Sequence, residues 1–291
     1  MRVLVTGSNG QLGSEIKDLA FEHENLECIF KDLPELDICD TELLNTFIID
    51  KKIDAVINCA GYTAVDKAEK EEPIAQKVNS EGVLNLVNAL KKVDGKLIHI
   101  STDYVFDGNH SLPYKESDPV SPLGVYGKTK RAGELAVLNS SIDGIVIRTS
   151  WLYSVYGNNF VKTILLLGND KESIQVVFDQ KGTPTYAKDL AKKCLDFLSD
   201  EGSTSIRKKG RLYHYSNEGD TNWYDFARAI LEISNIDCNV IPIETKDYPS
   251  QAIRPRYSVL DKSKIKSDFK ITIPHWRDSL ANCIKKINHN S

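Results

Sequence analysis

Two residues on one predicted helix have the chemistry of an acid and its activator. The segment VYGKTKRAGE, at residues 125–134, places Tyr126 and Lys130 four residues apart, a spacing that puts both side chains on one helix face. A free phenol has a pKa of about 10 and is a weak acid at neutral pH. A neighbouring ammonium stabilises the phenolate, so we expect Lys130 to lower the pKa of Tyr126. The pair therefore predicts a tyrosine that exchanges a proton with a substrate oxygen.

A glycine-rich turn offers a site for a cofactor that carries phosphate. The segment TGSNGQLG, at residues 6–13, joins a predicted strand to a predicted helix and contains Gly7, Gly10 and Gly13. These glycines permit a tight turn, a close approach of the backbone to a pyrophosphate, and close helix–strand packing. The free N–H groups and the dipole of the helix then face the phosphates. With a nicotinamide dinucleotide in this site, Lys130 is also expected to hydrogen-bond the nicotinamide ribose.

Two adjacent residues bear on the choice between nicotinamide cofactors. Asp32 follows the second predicted strand. It lies about 20 residues after the glycine-rich turn, where dinucleotide-binding folds carry an acidic residue that binds the adenosine ribose. Its carboxylate favours NADH. The neighbouring Lys31 can instead meet the 2′-phosphate of NADPH. The sequence therefore predicts NADPH or NADH and leaves the preference open.

Further polar residues follow two other predicted strands. Thr102 and Asp103 come directly after the apolar strand at 96–101, and the carboxyl ends of parallel strands face the ligand crevice. We expect Thr102 to hydrogen-bond the substrate carbonyl and the Tyr126 hydroxyl, and Asp103 to bind a sugar hydroxyl. The alternative is that these polar side chains only cap their own loop. The residues after the strand at 54–59 that we expect to line the cofactor site are Ala60, Gly61 and Tyr62.

Short apolar runs alternate with amphipathic ones through the first half of the chain. The predicted strands lie at 2–5, 26–30, 54–59, 96–101 and 144–149, and the predicted helices at 10–23, 41–51, about 75–92 and around Tyr126. Strands that are apolar throughout are buried on both faces of a sheet. The alternation therefore predicts an α/β fold with a doubly wound parallel sheet of the Rossmann type.

The second half of the chain predicts a smaller α/β lobe. Helices are expected at 158–168, 187–198, 222–233 and 276–287, and strands at 173–178 and 211–216. Residues 200–210 are expected to form a polar surface loop. We expect residues 1–150, with parts of 173–216, to form the NAD(P)-binding domain. Residues 151–172 and 217–291 are expected to form an interleaved substrate-binding lobe.

Composition excludes several classes of partner. The chain has 37 basic and 41 acidic residues, a net charge of −4, which gives no electrostatic reason to bind nucleic acid or an anionic membrane. No apolar run approaches the ~20 residues of a spanning helix. Six cysteines are scattered without a CxxC pair, which is typical of reduced core residues. These features predict a cytoplasmic protein.

Several motifs together resemble the extended short-chain dehydrogenase/reductase family. They are TGSNGQLG, NCAGYTAVDKAE, STDYVFDG, SPLGVYGKTKRAGE and RTSWLY. The resemblance continues through GNNFVKT, DQKGTPTYAKDLA and LYHYSNEGDTNWYDFA, and so covers nearly the whole chain. Within the family, the motifs are most similar to those of the reductases of dTDP-4-dehydrorhamnose. The resemblance implies NAD(P)H-dependent reduction of the C4 ketone of dTDP-4-dehydro-L-rhamnose to dTDP-L-rhamnose, for cell-surface polysaccharide synthesis.

The resemblance also implies roles for individual residues. Tyr126 corresponds to the proton donor, Lys130 to its activator and ribose ligand, and Thr102 to the third member of the triad. The implied sugar contacts are Asp103, Trp151 and Asn159. The implied cofactor contacts are Asn9, Gly10, Gln11, Leu12, Asp32, Asp37, Ile38, Gly61, Tyr62 and Thr63. Independently, Arg254 and Arg256 are candidates for the nucleotide pyrophosphate, because guanidinium groups suit phosphate.

One feature departs from the family pattern. Some members carry an acidic cluster that binds Mg²⁺ at a dimer interface, and Glu15 matches part of it. Lys188 stands where a second glutamate is expected, and an ammonium removes an oxygen ligand and adds repulsion. We therefore expect no protein-bound metal, and a homodimer, if it forms, would not be bridged by Mg²⁺.

Other functions share the same motifs. A 4,6-dehydratase needs a glutamate after the Thr–Asp pair, and Tyr104 stands there, which argues against dehydration. A nucleotide-sugar epimerase uses the same triad without net consumption of NADPH, and a related ketosugar reductase differs only in its pocket. A non-catalytic regulatory subunit, like the β-subunit of methionine adenosyltransferase, also resembles this family, and the intact triad argues against it.

Overall fold

A computed structural model describes residues 1–199 and 212–290. Its strands are β1 (Arg2–Thr6), β2 (Glu27–Lys31), β3 (Ala55–Asn58), β4 (Lys96–Thr102), β5 (Asp143–Thr149), β6 (Leu152–Tyr153), β7 (Ser173–Val177), β8 (Lys181–Gly182), β9 (Thr185–Tyr186), β10 (Leu212–His214), β11 (Thr221–Asn222) and β12 (Asn239–Ile243). The polar loop expected at 200–210 lies outside the described residues.

The helices follow the strands along the chain. They are α1 (Gln11–Leu19), α2 (Thr41–Asp50), α3 (Val65–Ala68), α4 (Glu72–Gln76), α5 (Gly82–Lys91), α6 (Val125–Leu138), α7 (Phe160–Asp170), α8 (Ala187–Ser199), α9 (Trp223–Ile233), α10 (Ser263–Phe269) and α11 (Trp276–Asn290). No helix in the described part of the chain is long and apolar enough to cross a membrane.

Six parallel strands form the central sheet, in the order β10-β5-β4-β3-β1-β2. The apolar strands are buried on both faces because helices pack on each side. On one side Val3 and Val5 pack with residues of α1 and α8. On the other side Leu4 packs with residues of α2, α5 and α6. This arrangement confirms the doubly wound α/β fold that the alternating apolar runs predict.

A third apolar cluster lies under α7, α9 and α11. The two-stranded parallel sheet of β7 and β12 belongs to this region of the molecule. The sequence analysis places Ile265 and Ile273 in the substrate-binding lobe. In the structure they pack with β1 and α8, in the apolar cluster on that side of the central sheet. The interleaved division into two domains stays a prediction. The packing of Ile265 and Ile273 shows that residues assigned to the lobe share an apolar core with the NAD(P)-binding domain.

The helix expected at about 75–92 is helical from Glu72 but contains a π-helical turn at Lys77–Glu81. The turn carries Asn79, which is buried. The Asn79 amide accepts a hydrogen bond from Tyr62 N at 2.8 Å and donates to Tyr62 O at 3.0 Å. The sequence gives no sign of this turn, which aims Asn79 at the loop after β3.

Helix α6 is held to the sheet by a buried ion pair. Glu134 accepts hydrogen bonds from Arg148 Nε at 2.7 Å and Nη2 at 2.8 Å, and from Ser101 Oγ at 2.6 Å. Arg131, which is partly exposed, adds a bond of 2.7 Å. Burial by itself would raise the pKa of Glu134, but the hydrogen bonds and charge of Arg148 outweigh it and lower that pKa. Glu134 is therefore a carboxylate that joins α6 to β4 and β5.

Removing one partner of this pair is expected to destabilise the fold. Arg148→Met leaves the Glu134 charge buried with only Arg131 beside it, and we expect the free energy of unfolding to fall by about 3 kcal/mol. Arg2→Met is the control, because the Arg2–Glu27 pair is exposed and should contribute at most about 1 kcal/mol. Urea titration of both variants measures the difference, and equal losses would contradict the structural role of the buried pair.

Candidate active site

A cavity of about 870 Å³ lies at the carboxyl ends of β1, β3, β4 and β5. Parallel α/β sheets bind their ligands at this edge, and the volume suits a dinucleotide. The expected site residues that line the cavity are Gly7, Gly10, Gln11, Leu12, Asp32, Asp37, Ile38, Ala60, Gly61, Tyr62, Thr63, Thr102, Asp103, Tyr126, Lys130 and Trp151. Most of the residues singled out in the sequence are therefore brought together.

The glycine-rich turn is tightly packed at two positions. Gly7 has a φ of +62°, and a Cβ there would lie 2.6 Å from Ala60 N. A Cβ on Gly13 would lie 2.4 Å from Gly7 O. Gly13 is therefore behind the cavity wall and lets α1 close against the turn. Helix α1 begins at Gln11, and no side chain of the described chain caps it, so its first N–H groups are available to an anion.

Asp32 is fixed at the edge of the cavity by two backbone N–H groups. Asn9 N donates to Asp32 Oδ2 and Leu33 N to Asp32 Oδ1, each at 2.8 Å. Asn9 therefore acts in the structure as a support for Asp32, and its side chain is not among the cavity-lining groups. Lys31 is ion-paired with Glu35, which reduces its attraction for a 2′-phosphate.

The Thr102–Tyr126–Lys130 set is assembled at the floor of the cavity. The hydroxyl of Thr102 lies beside the phenol of Tyr126 and acts to lower its pKa. Lys130 Nζ donates to the carbonyl oxygen of Ile100 at 2.6 Å. A Cβ on Gly61 would lie 3.8 Å from Lys130 Nζ, so the loop after β3 passes directly over the ammonium. The three side chains thus line the same cavity as the glycine-rich turn and the other expected cofactor contacts.

The lowering of the Tyr126 pKa that is expected from Lys130 with a cofactor bound stays a prediction, because Lys130 does not act on the phenol in this structure. Burial raises the pKa of Tyr126 to about 12, while Thr102 lowers it and Asp103 raises it further. Lys130 points to Ile100 O instead of the phenol, and burial lowers its own pKa to about 8. A buried phenol of this kind keeps its proton at neutral pH and can give it to a base that forms during a reaction.

Trp151 forms part of the cavity wall and is held in a single orientation. Its backbone has a φ of +47°, and its ring stacks on Trp223 with centroids 3.5 Å apart. On Gly182, a Cβ would lie 2.6 Å from the Trp151 indole. The indole is therefore fixed between two elements and presents an apolar surface suited to a sugar ring.

Three of the expected substrate-binding residues are not on the cavity wall. Asn159 caps α7, and its amide nitrogen donates to Gln11 Oε1 at 3.0 Å. The preceding residue, Asn158, lines the cavity instead. Arg254 Nη2 donates to Asp66 at 2.7 Å, and Arg256 is exposed. The sequence could not distinguish Asn158 from Asn159, because both precede the same helix.

Two supporting residues were missed in the sequence. Asn79 and Glu134 are buried polar side chains on helices, and each fixes backbone or side chains next to the cavity. A polar residue at an otherwise apolar helix position is the signal that both share. Their partners lie far away in the sequence, so the signal alone could not tell what they bind.

The residues around Glu15 do not fit a Mg²⁺ site. Glu15 is buried and accepts a hydrogen bond from Ser154 Oγ at 2.6 Å. The ammonium of Lys286 lies 3.6 Å from Glu15 Oε2 and 2.7 Å from Asp18 Oδ2. Among the residues placed by the structure, no group of three or more His, Cys, Asp or Glu could hold a metal. The ammonium of Lys286 supplies, next to Glu15 and Asp18, the positive charge that a bound Mg²⁺ would supply.

The parallel sheet, the glycine-rich turn and the Thr–Tyr–Lys set together define an NAD(P)-dependent oxidoreductase of the extended short-chain dehydrogenase/reductase class. Comparison with known proteins identifies the family more narrowly. The family described as RmlD substrate binding domain matches residues 1–289. The dTDP-4-dehydrorhamnose reductase of Aggregatibacter actinomycetemcomitans is 40% identical over 288 residues, which cover 97% of each chain.

Two solved structures agree with this result. A dTDP-4-dehydrorhamnose reductase from Clostridium acetobutylicum has a TM-score of 0.92 and 40% identity, covering 99% of this chain and 100% of its own. The Bacillus anthracis enzyme, in complex with NADP, has a TM-score of 0.91 and 36% identity, covering 98% of this chain and 99% of its own. The chain belongs to the dTDP-4-dehydrorhamnose reductase family, as its motifs predict.

The low pKa of Lys130 predicts that cofactor affinity depends on pH. Because the ammonium is charged below about pH 8 and loses its proton above it, a bond from Lys130 to the ribose should weaken as pH rises. We expect the dissociation constant of NADPH to rise about tenfold between pH 7 and 9.5, the scale of one charge-assisted hydrogen bond. Fluorescence titration measures it. Lys130→Met should bind weakly at every pH, and a wild-type affinity that does not change would contradict the assignment.

Proposed function

We propose that this protein reduces the C4 ketone of dTDP-4-dehydro-L-rhamnose with NADPH or NADH and yields dTDP-L-rhamnose for cell-surface polysaccharide synthesis. The observation that carries the proposal is the Thr102–Tyr126–Lys130 set at the floor of a dinucleotide-sized cavity, in a chain of this reductase family. The structure of the Bacillus anthracis relative, which contains NADP, supports the choice of cofactor.

The residues of the cavity suit a bound nicotinamide dinucleotide. The N–H groups at the start of α1 would hold the pyrophosphate, Asp32 the adenosine ribose, and Lys130 the nicotinamide ribose. Asp37, Ile38 and the loop after β3 would enclose the remaining surface. When bound, the reduced nicotinamide supplies hydride to the sugar carbonyl carbon.

Tyr126 is the proton donor in this proposal. Its phenol retains the proton at neutral pH because burial raises its pKa to about 12. As the carbonyl oxygen gains negative charge it becomes a stronger base than the phenolate, and the proton moves from the Tyr126 hydroxyl to that oxygen. Thr102 positions the phenol and donates a hydrogen bond to the same oxygen. The Tyr104 and Tyr126 rings meet edge to face, with their centroids 5.5 Å apart, and this contact helps to orient the phenol.

The sugar nucleotide would lie beyond the nicotinamide. Trp151 would pack on the sugar ring, Asp103 would bind a sugar hydroxyl, and Asn158, held next to the α7 cap Asn159, would also contact the sugar. Of the two arginines, we assign the diphosphate to Arg254. It is half-buried, and its charge lies close enough to the Tyr104 phenol, which lines the cavity, to act on the pKa of that phenol.

The cellular setting is also part of the proposal. The net charge of −4 and the dTDP-sugar substrate support a cytoplasmic enzyme without nucleic-acid or membrane partners. If the protein forms a homodimer, the Lys286 ammonium at Glu15 supports an interface that needs no Mg²⁺.

The central test is an assay of NADPH absorbance with dTDP-4-dehydro-L-rhamnose, repeated with NADH. Wild-type protein should consume one cofactor per ketosugar, whereas an epimerase would consume none. Tyr126→Phe should retain the fold and NADPH affinity but lower kcat by about 10²-fold or more, because the general acid is lost. A Tyr126→Phe variant that reduces the ketosugar at the wild-type rate would show that another group donates the proton.

The assignment of Arg254 predicts a separate effect on substrate binding. Arg254→Met should raise KM for the dTDP-sugar about tenfold, the scale of one lost charge-assisted contact, and change kcat less than threefold. Arg256→Met is the matched control and should leave both constants unchanged, because its side chain is exposed. The reverse result would assign the diphosphate to Arg256.

A further inference from the structure

The side chain of Asn159 uses both ends of its amide within the protein. Its Oδ1 accepts a hydrogen bond from Lys162 N at 3.1 Å, which caps helix α7. Its Nδ2 donates to Ser154 O at 2.7 Å and to Gln11 Oε1 at 3.0 Å, with a longer bond of 3.3 Å to Tyr156 O. Because both N–H groups of the amide are used in this way, the function of Asn159 lies in what it holds.

These partners allow one orientation of the Asn159 and Gln11 amides. The backbone N–H of Lys162 can only donate, so the Asn159 atom that faces it is the oxygen. The amide nitrogen of Asn159 then faces Gln11, and a nitrogen of this kind can only donate. The Gln11 atom that receives the bond is therefore Oε1. The Nε2 of Gln11, with its two N–H groups, is turned away from Asn159.

The Gln11 amide lies where the proposed cofactor carries negative charge. Gln11 is the first residue of α1, and it lines the cavity. Its Nε2 has no hydrogen-bond partner within residues 1–199 and 212–290. The backbone N–H groups at the same helix end suit an anion. An amide oxygen turned toward that anion would repel it, whereas the two N–H groups add donors to those of the backbone.

The segment at residues 154–159 is held against α1 by further contacts. The Tyr156 hydroxyl donates to Asp18 Oδ2 at 2.6 Å. Gly157 has a φ of +62°, and a Cβ there would lie 3.1 Å from Gln11 Cγ. The segment therefore passes close over the Gln11 side chain and can hold its amide in one orientation.

We propose that Asn159 is a positioning residue that turns the Gln11 amide so that its N–H groups donate to the cofactor diphosphate, an inference that rests on the proposed function. Asn159 itself touches neither the cofactor nor the sugar. Its bond to Gln11 joins the cap of α7 to the start of α1. Loss of this bond should weaken cofactor binding and leave the transfer of hydride and proton unchanged.

Asn159→Ser tests this role, because serine also caps helices but is too short to reach Gln11. We expect the dissociation constant of NADPH, measured by fluorescence titration, to rise about tenfold, the scale of one charge-assisted hydrogen bond. The kcat at saturating NADPH and the KM for the dTDP-sugar should each change less than about threefold. Asn222→Ser is the matched control, since Asn222 caps α9 in the same way and is not among the cavity-lining residues. It should leave the affinity for NADPH unchanged.

A double variant separates an effect through Gln11 from a general effect on packing. Gln11→Ala alone should raise the dissociation constant of NADPH about tenfold. Adding Asn159→Ser should raise it less than about twofold further, because both residues act through one bond. Single effects that multiply in the double variant, or an unchanged affinity in either single variant, would overturn the proposal. A rise in KM for the dTDP-sugar in place of the cofactor effect would overturn it as well.

Two further outcomes are distinguishable from these. If Asn159→Ser does not fold, Asn159→Thr takes its place, because threonine is also a helix cap without an amide nitrogen. Wild-type protein that binds neither NADPH nor NADH would instead reject the proposed function, since the role of Asn159 concerns only how tightly a bound cofactor is held.

Discussion

The buried ion pair between Glu134 and Arg148 fixes helix α6 on the central sheet, and the reactive side chains take their positions from that helix. Tyr126, Lys130 and Glu134 follow one another at intervals of four residues, so they share one face of α6. Glu134 is bonded to β4 through Ser101 and to β5 through Arg148. The phenol and the ammonium are therefore set against the strand ends, where the glycine-rich turn also lies.

Burial is the second constraint, and it acts on the two titratable groups in opposite directions. It raises the pKa of the Tyr126 phenol to about 12 and lowers that of the Lys130 ammonium to about 8. A phenol that holds its proton is the form that a reduction needs, because the carbonyl oxygen must receive a proton as hydride arrives. Burial also strengthens the hydrogen bond from Lys130 Nζ to Ile100 O.

Much of the fold follows from local patterns in the sequence. Apolar runs that alternate with amphipathic ones specify a parallel sheet, and Gly7 can be recognised because it lies in a glycine-rich turn between a strand and a helix. The Tyr126–Lys130 pair and the residues after β4 are likewise visible from spacing alone. These features depend on neighbours in the chain or on the general rule for strand ends.

The features of the fold and of the candidate site that the sequence does not reveal depend on contacts between segments that are far apart in the chain. The π-helical turn is explained only by the partner of Asn79 at Tyr62, and the orientation of Lys130 only by the carbonyl of Ile100. For the same reason, the pairing of Arg254 with Asp66 could not be read from its own segment. The pKa of Tyr126 could not be read from its spacing to Lys130, because the burial that raises it is a property of the assembled fold.

The most direct test is a crystal structure of the protein with NADP⁺ and dTDP-L-rhamnose bound together. The account predicts that the nicotinamide C4 lies about 3.5 Å from the sugar C4, the separation required for direct transfer. The Tyr126 hydroxyl should be within hydrogen-bond distance of the sugar O4. A nicotinamide ring bound away from the Tyr126 face of the cavity, or an O4 that contacts a different acid, would contradict the account.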